Sequence, residues 1–262
     1  MSRSPSTTKK EIAIPGEPTP LLLNVGVDRV ASAVWPCALH FIGRLFSVLG
    51  GTVEAEEWEP LLAFSTNVKK SLQPSASDLL SGFRVLELGA GTGVVGLSLA
   101  RRGAAVMLTD KAACLPLIEQ NIGNNATGVG NRVDVMPLDW KAVGDFWGTC
   151  ARRWQPNLLL LCECIYDPMH LTRSPLVPIV VDFFRFTVNE EASAVAPRIA
   201  LIAYETRDAD IETAFLQQLR RAGESQKLFS VRHVSSTAIP KEAASEGNTQ
   251  SASLSYEIWI CC

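Results

Sequence analysis

A chain of 262 residues carries 24 Lys and Arg against 27 Asp and Glu, a formal charge of −3 and a pI near 5.7. Hydrophobic residues make up 47% of it and charged residues 19%, which excludes a disordered polymer and leaves enough apolar surface for one large core. The acidic balance argues against a broad electrostatic grip on nucleic acid, and the lack of a long uncharged apolar run argues against a membrane-spanning helix.

Residues 1–22 are rich in Ser, Thr and Pro (Pro5, Pro15, Pro18, Pro20) and read as a mobile tail ahead of one domain over 23–262. The polar start, Met1 to Lys10, lacks the apolar core of a secretion signal. Val30 to Leu49 reads as a helix with Pro36 in its first turn and Gly50-Gly51 at its end. Residues 51–82, with Glu54, Glu56, Glu57 and Glu59 followed by Pro74, read as a helical and loop insert.

A strand–helix rhythm then begins. Arg84 to Leu88 is a short buried strand, Gly89 to Gly93 a glycine turn, and Val94 to Arg102 a helix. Ala104 to Thr109 and Ala112 to Asn125 repeat the pair. Val133 to Met136 and Leu158 to Cys162 are two more strands, and Leu176 to Val188 is a helix. Ile199 to Tyr204 is the next strand, and Asp208 to Ala222 a helix closed by Gly223. Leu228 to Val234 and Leu254 to Cys261 are late strands joined by the polar Lys241 to Ser253, with no helix between them. This alternation predicts an α/β fold with a parallel sheet covered on both faces, and the last pair an antiparallel edge.

The chemistry concentrates in Glu87-Leu-Gly89-Ala90-Gly91-Thr-Gly93-Val-Val-Gly96, between a strand and a helix. Three readings compete: a turn that only packs the helix on the strand, a dinucleotide site of the G-x-G-x-x-G kind, and a methyl-donor site. Two features favour the last. Glu87 precedes the glycines, where a carboxylate suits a cationic sulfonium and would repel a pyrophosphate. Asp110 ends the second strand, placed to accept hydrogen bonds from ribose hydroxyls. Asp139-Trp140 follows the third strand, and an indole there offers a flat apolar wall, as does Trp35 upstream.

The apolar strand Leu158 to Cys162 runs into Glu163-x-x-Tyr166. Taken in order with Trp35, the E-L-G-A-G-T-G turn and Asp139-Trp140, this resembles methyltransferase family 16, the seven-β-strand protein-lysine methyltransferases of the methyltransferase-like 21 type. The resemblance implies a class I methyltransferase fold: a Rossmann-like, doubly wound seven-stranded sheet with an antiparallel edge hairpin, plus N-terminal helices. It implies S-adenosyl-L-methionine as cofactor and a lysine-bearing protein as substrate. Trp35, Gly89, Ala90, Gly91, Asp110, Trp140 and Cys162 would line the donor, with Glu87, Gly93 and Asp139 beside them, and Glu163 and Tyr166 would face the acceptor. Members commonly carry Asp-x-x-Tyr here; Glu163 is one methylene longer.

Other signals lead nowhere. His40, His170 and His233 lack ligand spacing and Cys162-x-Cys164 lacks a second pair, so no metal is expected. The Asn-Pro-Pro-Tyr tetrapeptide of amino-directed base methyltransferases is absent. Arg152-Arg153-Trp154 reads as a solvated helix end, and Cys261-Cys262 follows a strand too closely to serve as a lipidated tail. Seven unpatterned cysteines imply reduced thiols in the cytoplasm or nucleus. The chain is expected to act as a monomeric enzyme on a protein substrate. The alternatives are the same fold acting on a small molecule or another protein atom, or a non-catalytic cofactor-binding interaction module.

Overall fold

The computed structural model describes residues 7–26, 30–53, 56–70, 79–144, 146–148, 154–185, 198–238 and 255–262. The chain opens with two antiparallel strands, β1 (Thr8–Ile12) and β2 (Leu21–Val25), followed by helices α1 (Pro36–Leu49) and α2 (Glu59–Lys70). The alternating part comprises β3 (Arg84–Leu88), α3 (Val94–Arg101), β4 (Ala105–Asp110), α4 (Leu115–Asn124), the short α5 (Ala126–Val129) and β5 (Val133–Pro137). It continues through β6 (Leu158–Cys162), the short α6 (Met169–Thr172), α7 (Leu176–Arg185), β7 (Ile199–Glu205), α8 (Ala209–Gln226), β8 (Val231–Ala238) and β9 (Ser255–Cys261).

Seven strands form one sheet in the order β5-β4-β3-β6-β7-β9-β8. β5, β4, β3, β6 and β7 are parallel. β9 lies antiparallel between β7 and β8, so β8 is the edge. Side chains alternate between faces along each strand, and both faces are buried. Val85, Leu158, Leu160 and Leu201 pack with Phe41, Leu45 and Leu97 of α1 and α3. Leu86, Leu159, Leu161 and Ile202 pack with Phe183, Phe215 and Leu219 of α7 and α8. Strands buried on two sides need apolar residues at nearly every position, which is why their sequence shows runs rather than alternation.

Several boundaries differ from the sequence reading. α1 starts at Pro36, and Val30–Ser32 is a separate 3-10 turn. The Pro36 ring forces Trp35 into extended backbone, φ −83 and ψ 137, so the helix cannot run through it. Gly50 closes α1 as expected, its N–H donating to Phe46 O at 2.8 Å. Gly223 does not close α8, which runs on to Gln226 and ends at a left-handed Lys227. Its missing side chain serves packing, because a Cβ there would sit 2.5 Å from Phe229 O. The segment 51–82 is no appendage: Trp58, Leu61, Phe64 and Leu80 are core, and Phe64 meets Phe83 edge to face at 5.0 Å. Pro5, Glu54, Pro74, Arg152-Arg153, residues 186–188 and the connection 241–253 lie outside the described residues.

The expected mobile tail is a correction of larger consequence, since from Thr8 onward it is the β1–β2 pair. Leu21, Leu23 and Val25 point into the core at every second position of β2. The backbone of β2 on its other edge is completed by two side chains from α4 and its end. Leu22 N–H donates to Asn125 Oδ1 at 3.0 Å and Asn24 N–H to Asn121 Oδ1 at 2.6 Å. The Asn125 and Asn121 amides donate back to Leu22 O and Asn24 O. Two asparagines thus act as a third strand. Arg101 closes the turn by donating to Thr19 O and Pro20 O, and Arg102 pairs with Glu17.

Asn125→Ala removes both bonds to Leu22 and leaves a half-buried N–H and C=O unpaired, at about 1 kcal/mol or more. Urea unfolding should show that loss. A change under a few tenths of a kcal/mol would mean that the hairpin contributes nothing to folding.

Candidate active site

The turn from β3 to α3 needs three residues in left-handed backbone: Gly89 at φ 62, Gly91 at φ 57 and Gly93 at φ 78. Glycine reaches that region without the Cβ penalty. Two of these positions also meet close neighbours. A Cβ on Gly89 would stand 2.8 Å from Trp140 Cζ2, and one on Gly91 would stand 3.0 Å from Ala31 O. The turn is pinned by acids on either side. Gly96 N–H donates to Glu87 Oε2 at 2.8 Å and Gly91 N–H to Asp110 Oδ2 at 2.9 Å. The other Asp110 oxygen accepts from Lys111 N–H at 2.7 Å.

Above this turn, at the carboxyl ends of the strands, lies a cavity of about 250 Å³. The structure brings eleven of the twelve sequence-predicted site residues to its wall: Trp35, Glu87, Gly89, Ala90, Gly91, Asp110, Asp139, Trp140, Cys162, Glu163 and Tyr166. Gly93 is the exception. It caps α3 and faces Leu108, Leu97 and Ile118, so it shapes the turn without reaching the cavity. The reading missed Val30, Ala31 and Ala33, which cover the cavity from the N-terminal side, and Lys111, Lys141, Cys164 and Met169. Ala31 lies in a turn without a motif. Lys111 and Lys141 each follow a predicted acidic or aromatic site residue closely, a positional signal that was there to use.

Glu87 lies at the base of the cavity. It is 2% exposed, and its carboxyl is spent on the Gly96 amide. Burial pushes its pKa up from 4.5 to about 8, against the opposing pull of that hydrogen bond. Burial thus favours the neutral acid in the ligand-free fold. Its position beneath the turn has another use: it takes one of the free amides at the start of α3.

The opposite wall comes from the segment after β6. Glu163 adopts φ 58, an uncommon conformation for a residue with a side chain. Its N–H donates to Ala203 O at 2.8 Å. Its Oε1 accepts from Glu205 N–H at 2.8 Å and its Oε2 from Arg207 Nη1 at 2.5 Å. Tyr166 is 46% exposed at the mouth, and burial of its inner part raises its hydroxyl pKa. Cys37 of α1 packs in the same core cluster as Cys162 at the end of β6, and proximity to that thiol together with burial holds Cys37 protonated. Cys164 Sγ donates to Leu88 O at 3.2 Å. These thiols are internal struts. Among the described residues no group of three or more His, Cys, Asp or Glu is arranged to hold a metal ion.

Residues 22–222 match the model of a family described as lysine methyltransferase. The chain belongs to that family. Protein-lysine N-methyltransferase EFM2 of Saccharomyces cerevisiae is 33% identical over 101 residues, 36% of this chain and 24% of that protein. Protein N-lysine methyltransferase METTL21A of Danio rerio is 44% identical over 62 residues, 23% of this chain and 28% of the relative. EEF1A lysine methyltransferase 3 of Mus musculus is 42% identical over 59 residues, 22% and 25% of the two chains. The matched stretches thus span about a quarter of each relative's length. A solved structure from Streptococcus mutans, assigned as a SAM-dependent methyltransferase, superposes over 99% of this chain and 56% of its own at a TM-score of 0.56 and 12% identity. That likeness shows the fold: a class I methyltransferase sheet with an antiparallel edge.

In this family member the raised pKa of Glu87 has a defined pH signature. Folded protein keeps the proton that unfolded chain loses above pH 4.5, so the contribution of Glu87 to stability falls as pH rises toward about 8. Glu87→Gln retains an acceptor for Gly96 and cannot ionise. Urea midpoints should show the variant gaining on wild type between pH 5 and pH 8. A difference that stays constant across that window would show that Glu87 is ionised in the fold.

Proposed function

We propose that this chain transfers a methyl group from S-adenosyl-L-methionine to the side-chain amine of a lysine in a protein substrate. One observation carries the reading: a single cavity joins the glycine turn and Asp110 on one wall to Glu163 and Tyr166 on the other. Membership in the lysine methyltransferase family supports it. So does the fold likeness to the methyltransferase SMU.776, solved in complex with SAH, which covers 99% of this chain at a TM-score of 0.56.

The residues present fit the donor. Side chains are missing at positions 89 and 91, where a Cβ would crowd Trp140 and Ala31. Asp110 has its two oxygens fixed by backbone amides, and a carboxylate has about four lone-pair positions, so acceptor capacity remains for a ribose hydroxyl pair. Trp140 and Trp35 offer flat apolar walls for an adenine and a thioether chain. When bound, the donor supplies an electrophilic methyl carbon on a positively charged sulfur.

What the protein adds is alignment, since an in-line displacement is governed by how the two reactants are held. A lysine amine is mostly protonated at neutral pH, its reference pKa being about 10.4, so it must shed a proton to water before attack. Glu163, with lone pairs left beyond Glu205 N–H and Arg207, orients the entering ammonium. Tyr166, half exposed at the mouth, narrows the channel beside the methyl group. Glu163 and Tyr166 would hold the neutral amine facing the donor's methyl carbon, and the methylated amine would stay protonated at neutral pH, so the transfer as a whole would release one proton to solvent.

Two measurements test this. Asp110→Ala should weaken binding of S-adenosylhomocysteine by about 1.5–3 kcal/mol per lost ribose bond, read by calorimetry on a variant whose ligand-free melting curve matches wild type. Unchanged affinity would remove Asp110 from the donor site. Incubation with labelled S-adenosylmethionine and cell lysate, followed by mass spectrometry, should place the label on lysine ε-nitrogens. Glu163→Gln should cut that labelling at least ~10-fold. Label found only on small molecules or other protein atoms would overturn the lysine assignment.

A further inference from the structure

Arg207, at the start of the loop between β7 and α8, does not line the cavity, yet it touches a lining residue from each wall. Its Cζ sits 4.9 Å from the ring centroid of Trp35. Its Nη1 is 2.5 Å from Glu163 Oε2, and its Nη2 is 3.6 Å from Glu205 Oε2. Trp35 belongs to the N-terminal cover, immediately before α1, and Glu163 to the loop after β6.

We propose that Arg207 is a positioning residue that clamps Trp35 against Glu163 and thereby holds the two walls of the cavity at their working separation. The inference rests on the donor-site reading above and extends it to a residue outside the cavity. A planar guanidinium suits this place because one face can stack on an indole while its edge forks to two carboxylates; an ammonium cannot do both. The clamp also answers two local needs. Glu163 and Glu205 reach the same cation, so without it two acids would lose their shared counter-charge. Glu163 is also held in left-handed backbone, a conformation that persists only where neighbours fix it. On the other side, the Trp35 indole donates from Nε1 to Val30 O at 3.2 Å within its own segment. The Arg207 stack is what carries that indole across to the sheet.

The test uses the full chain and S-adenosylhomocysteine as the probe, so it needs no acceptor protein. Arg207→Ala should weaken affinity by about 5–10-fold, the scale of a partly desolvated cation–π contact. Arg207→Lys keeps the charge without the plane and should fall between the two. Guanidinium chloride at roughly 20 mM, far below the molar concentrations that unfold domains, should restore most of the loss in Arg207→Ala, and the same concentration of methylammonium should not. A residue that only stabilised the fold would show no restoration, since this concentration leaves folding stability almost unchanged. Wild-type affinity in Arg207→Ala, or in Arg207→Lys should the alanine variant fail to fold, would overturn the inference; so would equal restoration by both cations. Failure of the donor reading is distinguishable: wild type itself would then not bind the probe. If wild type binds and the variants respond as expected but no lysine is labelled, the clamp stands and only the acceptor assignment falls.

Discussion

At the centre of the molecule the Gly96 amide meets the carboxyl of Glu87, and the donor wall takes its shape from that hydrogen bond. It fixes the first turn of α3 against the tip of β3, with the left-handed glycines spanned between them. The approach is possible because residue 96 has no side chain: a Cβ there would lie 2.6 Å from Glu87 Oε2. The arrangement trades one cost for another. Burying a charged carboxylate is expensive, and the protein avoids most of that cost by keeping the proton on Glu87 up to about pH 8. Asp110, at the end of the neighbouring strand, binds Gly91 N–H from the side and is left less buried than Glu87. One acid therefore sets the depth of the turn and the other its rim.

The position of the cavity follows from strand order. From β3 the chain moves outward through β4 to β5, then returns to place β6 on the other side of β3. At such a switch point the loops leaving adjacent strands diverge and open a crevice at their carboxyl ends. The loops after β3, β4, β5 and β6 supply the turn, Lys111, Trp140 and Glu163 to one space. The turn Val30–Ser32, Trp35 and the start of α1 then close it from above, following a β2 strand that is anchored on Asn121 and Asn125. The cover is thus held by residues remote in sequence from it.

How much of this could be read from residues alone depends on where each element finds its partners. β3, β6 and β7 were legible because both of their faces are buried, which demands short apolar runs with glycine or polar punctuation. The glycine turn was legible for a local reason as well, since strained backbone selects glycine. The β1–β2 pair was not: its first strand, Thr8–Ile12, has no buried position, and the pairing edge of β2 is satisfied by asparagines about a hundred residues away. Gly223 misled because a glycine near a helix end reads as a stop, whereas Phe229 presses on it from outside the helix. The place of Glu87 was legible, whereas the upward pull of burial on its pKa is recorded by no motif. Arg207 was not legible, because its place over Trp35 is a fact of three dimensions.

The extra methylene of Glu163 acquires a physical meaning in this setting. From a left-handed backbone its carboxylate spans to the end of β7, where one oxygen meets Glu205 N–H at 2.8 Å and the other Arg207 at 2.5 Å. An aspartate on the same backbone would fall short by about one carbon–carbon bond, roughly 1.5 Å, and both contacts would leave hydrogen-bond range. A shorter acid at this position would therefore have to direct its charge into the cavity or move the backbone. The longer one lets β7 and Arg207 absorb part of that charge, so on the proposed reading an entering acceptor would meet a carboxylate already partly compensated. Such a site grips an ammonium more weakly than a bare carboxylate would, and weaker retention of the protonated form favours release of the proton that the amine must lose before it can attack.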